Sequence, residues 1–306
     1  MGKDRFIILL RTLRVNQWIK NLVVFTAILF SGKLFEPDLF IRTLWAFFIF
    51  CLLSSTSYVL NDIIDLPYDK KHPIKRFRPI ASGLITMPEA TFMVFLFTLV
   101  SLILSLFFSI SFFFLSLLFI LLHFFYSLYL KKHPIVDIFA ISFSFMIRTF
   151  GGEIASGYHI PIWLVLTIFF VSLFMATVKR HAELVSHGKE ARPSLYHYKE
   201  HLLDFLTNTF ATITIIAYSF YTYFERLPSA RTFFTDLFSN SFPGFEARKW
   251  MMVTIPFVVY GIARYAQLLY EKAEGERPEK LITTDIPLIA SIGIWACIVI
   301  SLIYIL

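Results

Sequence analysis

The stretch from Leu60 to Gly83, LNDIIDLPYDKKHPIKRFRPIASG, sets Asn61, Asp62, Asp65 and Asp69 ahead of a run of bases that includes Lys75, Arg76 and Arg78. Spacings of three and four residues put the acids on one face of a helix if the apolar segment before them runs on. Carboxylates gathered in this way repel one another until a cation neutralises them. Hard oxygen ligands suit Mg²⁺, which binds through one or two carboxylates together with substrate phosphates. The bases that follow are forked and point-like donors for phosphate oxygens, and Pro73 and Pro79 interrupt helix on either side of them. Acid for a metal and base for an anion together describe a site for magnesium and a polyphosphate. Asp62, Asp65 and Asp69 are its expected catalytic acids, with Asn61 as a fourth metal ligand. A plain charged loop at a membrane surface accounts for the bases but not for the helical spacing of the acids.

The elements that position this stretch are oily. With 57% hydrophobic residues, 37 Phe and a mean hydropathy of +0.70, the chain lies outside the range of soluble domains and within that of polytopic membrane proteins. A bilayer core about 30 Å thick takes roughly 20 apolar residues per helix. Windows of that size fall at 16–34, 39–60, 87–109, 111–130, 135–155, 160–185, 201–224, 250–270 and 286–305. The expectation is an all-α, single-domain protein over residues 1–306 with nine transmembrane helices.

Placing the N-terminus in the cytoplasm puts twenty of the 28 Lys and Arg residues on the inner side and six on the outer, with Arg148 and Arg264 inside spans. That asymmetry sets the orientation, and it locates the excess charge of +7 where anionic lipid or an anionic soluble substrate meets it. No separate basic domain exists, which argues against nucleic acid. The first twenty residues, MGKDRFIILLRTLRVNQWIK, read as an amphipathic approach to the first span. Cys51 and Cys297 both fall within apolar spans and read as packing residues.

Other polar residues sit where bilayer depth makes them costly. Asp137 and Arg148 are eleven positions apart, close to three helical turns, so both project from one face of the fifth span. The alternative for each is a structural ion pair with another helix. Lys20 and Asn21 enter the first span and can reach the same mouth, although Lys20 also has the option of snorkelling to headgroups. Tyr126 and Tyr129 close the Phe-rich fourth span, as hydrogen-bonding groups or as an interfacial belt. His72, beside Pro73, reads as a loop residue rather than a base. The segment from Arg226 to Lys249 reads as an interfacial helix, and no span shows a GxxxG pairing motif, which leaves homo-oligomer formation open.

NDIIDLPYD fits the NDxxDxxxD signature of the UbiA superfamily of intramembrane prenyltransferases, and KRFRPIASG is similar to the K-x-R-P-I element that follows it there. The resemblance covers the whole chain and implies nine helices around a central cavity. Ordinary members carry a second Asp-rich loop after span six. Here the segment ATVKRHAELVSHGKEARPSLYHYKEHLLD has no Asp before Asp204, and Lys179, Arg180 and Glu183 stand in its place. KRHAEL, HPIKRFRPIASG, RVNQWIKN and LKKHPIVDIFAISFSFMIRTFGG together resemble the decaprenyl-phosphate phosphoribosyltransferase branch, whose product feeds cell-wall arabinan.

The resemblance implies transfer of 5-phosphoribose from phosphoribosyl pyrophosphate (PRPP) to a polyprenyl phosphate, at the cytoplasmic side of the plasma (inner) membrane, with Mg²⁺ as cofactor. The leaving group is pyrophosphate, whose developing charge a metal on the acids stabilises. The nucleophile is a lipid phosphate oxygen, ionised at neutral pH, so no general base is required. Lys75, Arg76 and Arg78, with Lys179 and Arg180, are the expected phosphate clamps, and Lys20, Asn21, Tyr126, Arg148 and Glu183 complete the expected substrate-binding set. The alternatives are a UbiA-type prenyltransferase acting on an aromatic acceptor, and a non-enzymatic lipid transporter or scaffold in which the clustered acids have no purpose.

Overall fold

The computed structural model describes residues 2–72, 74–187, 198, 200–225, 249–272 and 284–305, and among these it is helical with no strand. The helices are α1 (Gly2–Leu13), α2 (Thr26–Phe30), α3 (Pro37–Ile64), α4 (Leu66–Asp69), α5 (Met87–Phe108), α6 (Ile110–Leu128), α7 (Val136–Ser156), α8 (Ile162–His187) and α9 (Glu200–Phe224). They are followed by α10 (Ile255–Lys272) and α11 (Ile286–Tyr304). Eight helical segments among the described residues are long and apolar enough to cross a bilayer.

The first anticipated span differs from the rest. Val15–Phe25 is a 3₁₀ helix that passes into the short α2. A 3₁₀ helix rises about 2.0 Å per residue against 1.5 Å for an α-helix. The Val15–Phe30 segment therefore extends for about 30 Å, a full hydrocarbon thickness, in fewer residues than an α-helical span needs.

Local sequence sets the boundaries. Thr86 and Glu89 form a reciprocal capping box at the start of α5, and the hydroxyl of Ser109 accepts from the Phe112 N–H to begin α6. Asp285 accepts from the Leu288 N–H at the start of α11, with Pro at its first turn. Gly157, at φ 77°, ends α7 in the left-handed region that glycine adopts without steric cost.

Packing follows membrane logic, with small and polar residues inward and large apolar ones outward. Ser105 donates to Ser116 at 2.8 Å, tying α5 to α6 within a buried seam. Phe107 is 86% exposed and Phe92, Phe95 and Phe114 face outward as well, so much of the Phe content is lipid-facing surface. The exceptions form a core: Phe50 of α3 meets Phe112 and Phe119 of α6 edge-on at 5.5 and 5.6 Å. Against them lies α7, through two glycines. A methyl group on Gly151 would enter the Phe50 ring, and one on Gly152 would enter the backbone carbonyl of Val24. The 3₁₀ segment thus lies directly on the α7 backbone.

Candidate active site

The last turn of α3 and the short α4 that follows carry the acids. The helix runs through Ile64, bends at Asp65 before Pro67, and resumes for one turn in α4. Asn61, Asp62, Asp65 and Asp69 are brought together there, but they divide into two adjacent pairs. Nη1 of Arg78 donates to Asp62 Oδ1 at 3.0 Å and to Asp69 Oδ2 at 2.7 Å. Nζ of Lys131 donates to Asn61 Oδ1 at 3.0 Å and to Asp65 Oδ1 at 2.5 Å, while the Asn61 amide donates to Asp65 Oδ2 at 2.9 Å. A third base, Arg14, donates to Asp62 Oδ1 at 2.5 Å and lies over the Tyr58 ring. Asp62 and Asp69 are buried, and Lys131 is only 8% exposed. Among the described residues no three His, Cys, Asp or Glu side chains stand close enough to cage a metal unaided.

The donor set nevertheless fits a divalent ion that shares its shell with a substrate. All four groups offer hard oxygens, and each pair converges on one cationic nitrogen, where a positive charge is already stabilised. Mg²⁺ commonly takes one or two carboxylates and leaves its other positions to phosphate and water. Burial raises the Asp69 carboxyl above its ordinary value despite the neighbouring Arg78. Burial acts to lower the Arg14 guanidinium, but the charge and hydrogen bond of Asp62 outweigh it, so the net direction is upward.

A second polar layer lies deeper, about 10 Å along α3 from Asn61 to Ser54 at the α-helical rise. Arg148, 3% exposed, donates from Nε to Asn21 Oδ1 at 2.7 Å, from Nη1 to the Ser144 carbonyl at 2.8 Å and from Nη2 to Ser54 at 3.3 Å. Its guanidinium also faces the rings of Phe119 and Phe145 at 4.7 and 5.3 Å. Asn21 donates onward to Cys51 Sγ at 3.3 Å. This network fastens the 3₁₀ segment to α3 and α7, and Trp18 adds a bond to Ser55 at 3.0 Å.

Arg180 and Glu183 belong to a third cluster. Arg180, 1% exposed, pairs with Glu183 at 2.6 Å and stands 3.5 Å from Asp137 Oδ2. Tyr198 donates to Asp137 Oδ1 at 2.8 Å and accepts the Ile135 N–H at 2.5 Å. Asp137 and Arg148 therefore serve separate networks, and Arg180 is neutralised by two carboxylates. Arg76 is exposed, with its guanidinium over the Phe77 ring at 4.8 Å. Lys20, Lys75, Tyr126 and Lys179 are half-buried and Tyr129 is exposed. The His72 Nδ1 accepts the backbone N–H groups of Ile74 and Lys75, as a loop residue does. Pro73 and residues 226–248 lie outside the described residues. Arg14 and Lys131, which complete the acid cluster, appear in the sequence only as two basic residues among many near the membrane ends.

An apolar cavity of about 330 Å³ lies between α2, α8, α9, α10 and α11, lined by Phe30, Ile168, Phe174, Tyr218, Ile262 and Trp295 among others.

Residues 22–283 match the model of the UbiA prenyltransferase family. The chain belongs to this family. It is a multi-pass membrane protein of the UbiA fold. Curated relatives include the decaprenyl-phosphate phosphoribosyltransferases of Corynebacterium glutamicum, 30% identical over 97% of this chain and 87% of the relative, and of Mycolicibacterium smegmatis, 32% identical over 90% of this chain and 86% of the relative. Among solved structures, a UbiA homolog from Archaeoglobus fulgidus bound to DMAPP and Mg²⁺ superposes with a TM-score of 0.66 at 16% identity, covering 97% of this chain and 99% of that one. A digeranylgeranylglyceryl phosphate synthase superposes with a TM-score of 0.64 at 19% identity, covering 99% of this chain and 100% of that one.

Proposed function

We propose that this protein transfers 5-phosphoribose from PRPP to a polyprenyl phosphate of the decaprenyl phosphate type, releasing pyrophosphate, in a Mg²⁺-dependent reaction. The site opens to the cytoplasm from the inner membrane, with the N-terminus on the same side. The similarity, over 90% or more of this chain, to relatives named for this activity supports the reading. The observation that carries it is the interleaving of acid and base beyond α3, where Arg14, Arg78 and Lys131 come from three separate segments to three carboxylates.

A lipid phosphate oxygen forms the new bond to the anomeric carbon, the bond from that carbon to pyrophosphate breaks, and its electron pair leaves with pyrophosphate. No proton needs to move. Asn61, Asp62, Asp65 and Asp69 are the residues that would hold the metal. A bound Mg²⁺ supplies neutralisation of the charge that gathers on pyrophosphate. Arg78 and Lys131, the bases that face these acids, would hold the pyrophosphate oxygens, Lys131 as a point charge and Arg78 as a fork. Asn21 and Arg148 keep the first span in the register that presents Arg14 and Lys20 to the site. The apolar cavity beside α2 offers the isoprenoid chain a surface without charge.

Purified protein supplied with Mg²⁺, a polyprenyl phosphate and PRPP labelled in the ribose should move the label into an organic-soluble product. If the protein ignores PRPP and instead joins a prenyl diphosphate to an aromatic acid, the prenyltransferase reading takes its place.

A further inference from the structure

At the elbow where α1 meets the 3₁₀ segment lies a groove of about 360 Å³ whose lining includes none of the four acid-cluster residues. Its walls include Ile7, Leu10, Arg11, Arg14, Asn16 and Gln17. We propose that this groove docks the phosphate head of the lipid acceptor, with Arg11 and the carboxamides of Asn16 and Gln17 as donors and Arg14 as the partition between the docked head and the acid cluster. The inference rests on the reading above in naming the acceptor, but its chemistry is that of any single-chain lipid phosphate.

Three independent features point the same way. The first is complementarity: two guanidiniums and two carboxamides supply charged and neutral N–H donors to an anion. Ile7 and Leu10 supply an aliphatic wall that a soluble phosphate has no use for. The second is depth. One face of α1 packs down, with Ile8 and Leu9 against the cluster of Val59, Ile80, Ile85 and Ala90. Phe6, Ile7 and Leu10 on the other side remain exposed, as in a helix lying in the plane of the headgroups. A lipid phosphate arrives at that level without leaving the membrane. The third is the elbow itself. Arg14 has φ 51° and ψ 49°, a left-handed conformation that costs a non-glycine residue about 1 kcal/mol or more. The bend is held by the Asp62 ion pair and the Tyr58 ring on the side of the acids, while the same residue lines the groove. A phosphate in the groove is thus one side chain away from the carboxylates. Asn16 and Gln17 belong to the segment that continues into Thr26 and Phe30, which line the apolar cavity, so head and tail are served by opposite ends of one span.

The test is equilibrium binding of a labelled short-chain polyprenyl monophosphate to full-length protein in phosphatidylcholine nanodiscs, with no PRPP present. Arg11 is exposed, so its substitution leaves the fold intact. Arg11→Gln should weaken binding about tenfold, the loss expected for one charge-assisted hydrogen bond, and Arg11→Lys should restore most of it. Asn16→Ala, also at an exposed position, should weaken binding by a smaller factor in the same assay. Unchanged affinity in Arg11→Gln overturns the proposal. So does full displacement of the probe by phosphatidylglycerol, which would make the groove a general site for anionic lipid, or by inorganic phosphate, which would make it a site for free anions. Because the assay contains no PRPP, failure of the phosphoribosyl reading leaves this result standing, and PRPP-dependent turnover together with unaltered lipid binding sinks this inference alone.

Discussion

The ammonium of Lys131 lies 2.5 Å from Oδ1 of Asp65, so the turn that follows α6 closes over the end of α3. Lys131 is buried to 8% exposure, and its removal strands a carboxylate that the fold has arranged for a cation. If Lys131 also holds pyrophosphate, Lys131→Met should lower kcat by about 100-fold, the scale of losing one group that stabilises a developing charge. Lys131→Arg should recover part of that activity. Steady-state kinetics alongside melting in detergent separates the roles: a lower melting temperature with unchanged kcat would leave Lys131 a purely structural residue.

Gly152 is where the 3₁₀ segment meets α7, with the Val24 carbonyl in the space that a side chain would fill. Gly152→Ala forces two backbones apart and should cost several kcal/mol, above the range of about 1–3 kcal/mol for overpacking that side chains can absorb. Thermal unfolding of the detergent-solubilised variant reads this directly. A melting temperature equal to that of the wild type would mean that the contact is not as close as described.

Asp69 gives a pH prediction. Burial holds its carboxyl above the ordinary value of about 3.9. A folded state that keeps its proton longer than the unfolded chain has stability that is fully present below the unfolded pKa and lost as pH rises through the folded one. Without metal, therefore, the ionised Asp69 works against the fold at neutral pH. Asp69→Asn should melt no lower than the wild type near pH 7 in a chelator, with the wild type regaining ground as pH falls toward about 4. The same variant should lose most of its Mg²⁺-dependent turnover. A variant that melts well below the wild type at neutral pH would show that the Arg78 pair outweighs the burial.

Tyr198 pins the start of α7 by accepting the Ile135 N–H and donating to Asp137. Ile135 has φ 67°, an outlier for a β-branched residue, so the hydroxyl holds a strained turn. Tyr198→Phe leaves the Ile135 N–H and a buried carboxylate oxygen of Asp137 without this partner and should cost about 1–3 kcal/mol, measured as a lower melting temperature. Ile135→Gly should offset part of the loss by relieving the strain, and no rescue in the double variant would dissociate the two.

Hydropathy made the spans legible, and the helical spacing of Asn61, Asp62, Asp65 and Asp69 placed a polar cluster beyond α3. What remained hidden depends on tertiary closure. Arg14 and Lys131 lie 48 and 66 residues from the acids they neutralise, and nothing in their local sequence separates them from bases that only face headgroups. Asp137 and Arg148 do fall on one side of α7, but eleven residues amount to about 16 Å of rise. Each consequently meets a different layer, Asp137 with Arg180 and Tyr198, Arg148 with Asn21 and Ser54. Arg180, at the end of span six, reads from its place in the chain as a phosphate clamp, and the sequence gives no sign that in the fold it lies buried between Asp137 and Glu183. The 3₁₀ geometry of Val15–Phe25 has no signature in composition, since it arises where Arg148 and Gly152 hold that segment against α7.

The central claim is that the acids beyond α3 take a divalent ion jointly with a phosphorylated sugar, which the neighbouring bases grip. Equilibrium binding of labelled PRPP to the purified protein, with Mg²⁺ and with a chelator, tests it without requiring turnover. Wild-type protein should bind PRPP only when the divalent ion is present, and Asp65→Asn should bind about 100-fold more weakly, a loss of roughly 3 kcal/mol. Equal affinity with and without Mg²⁺, or in the wild type and Asp65→Asn, would contradict the account.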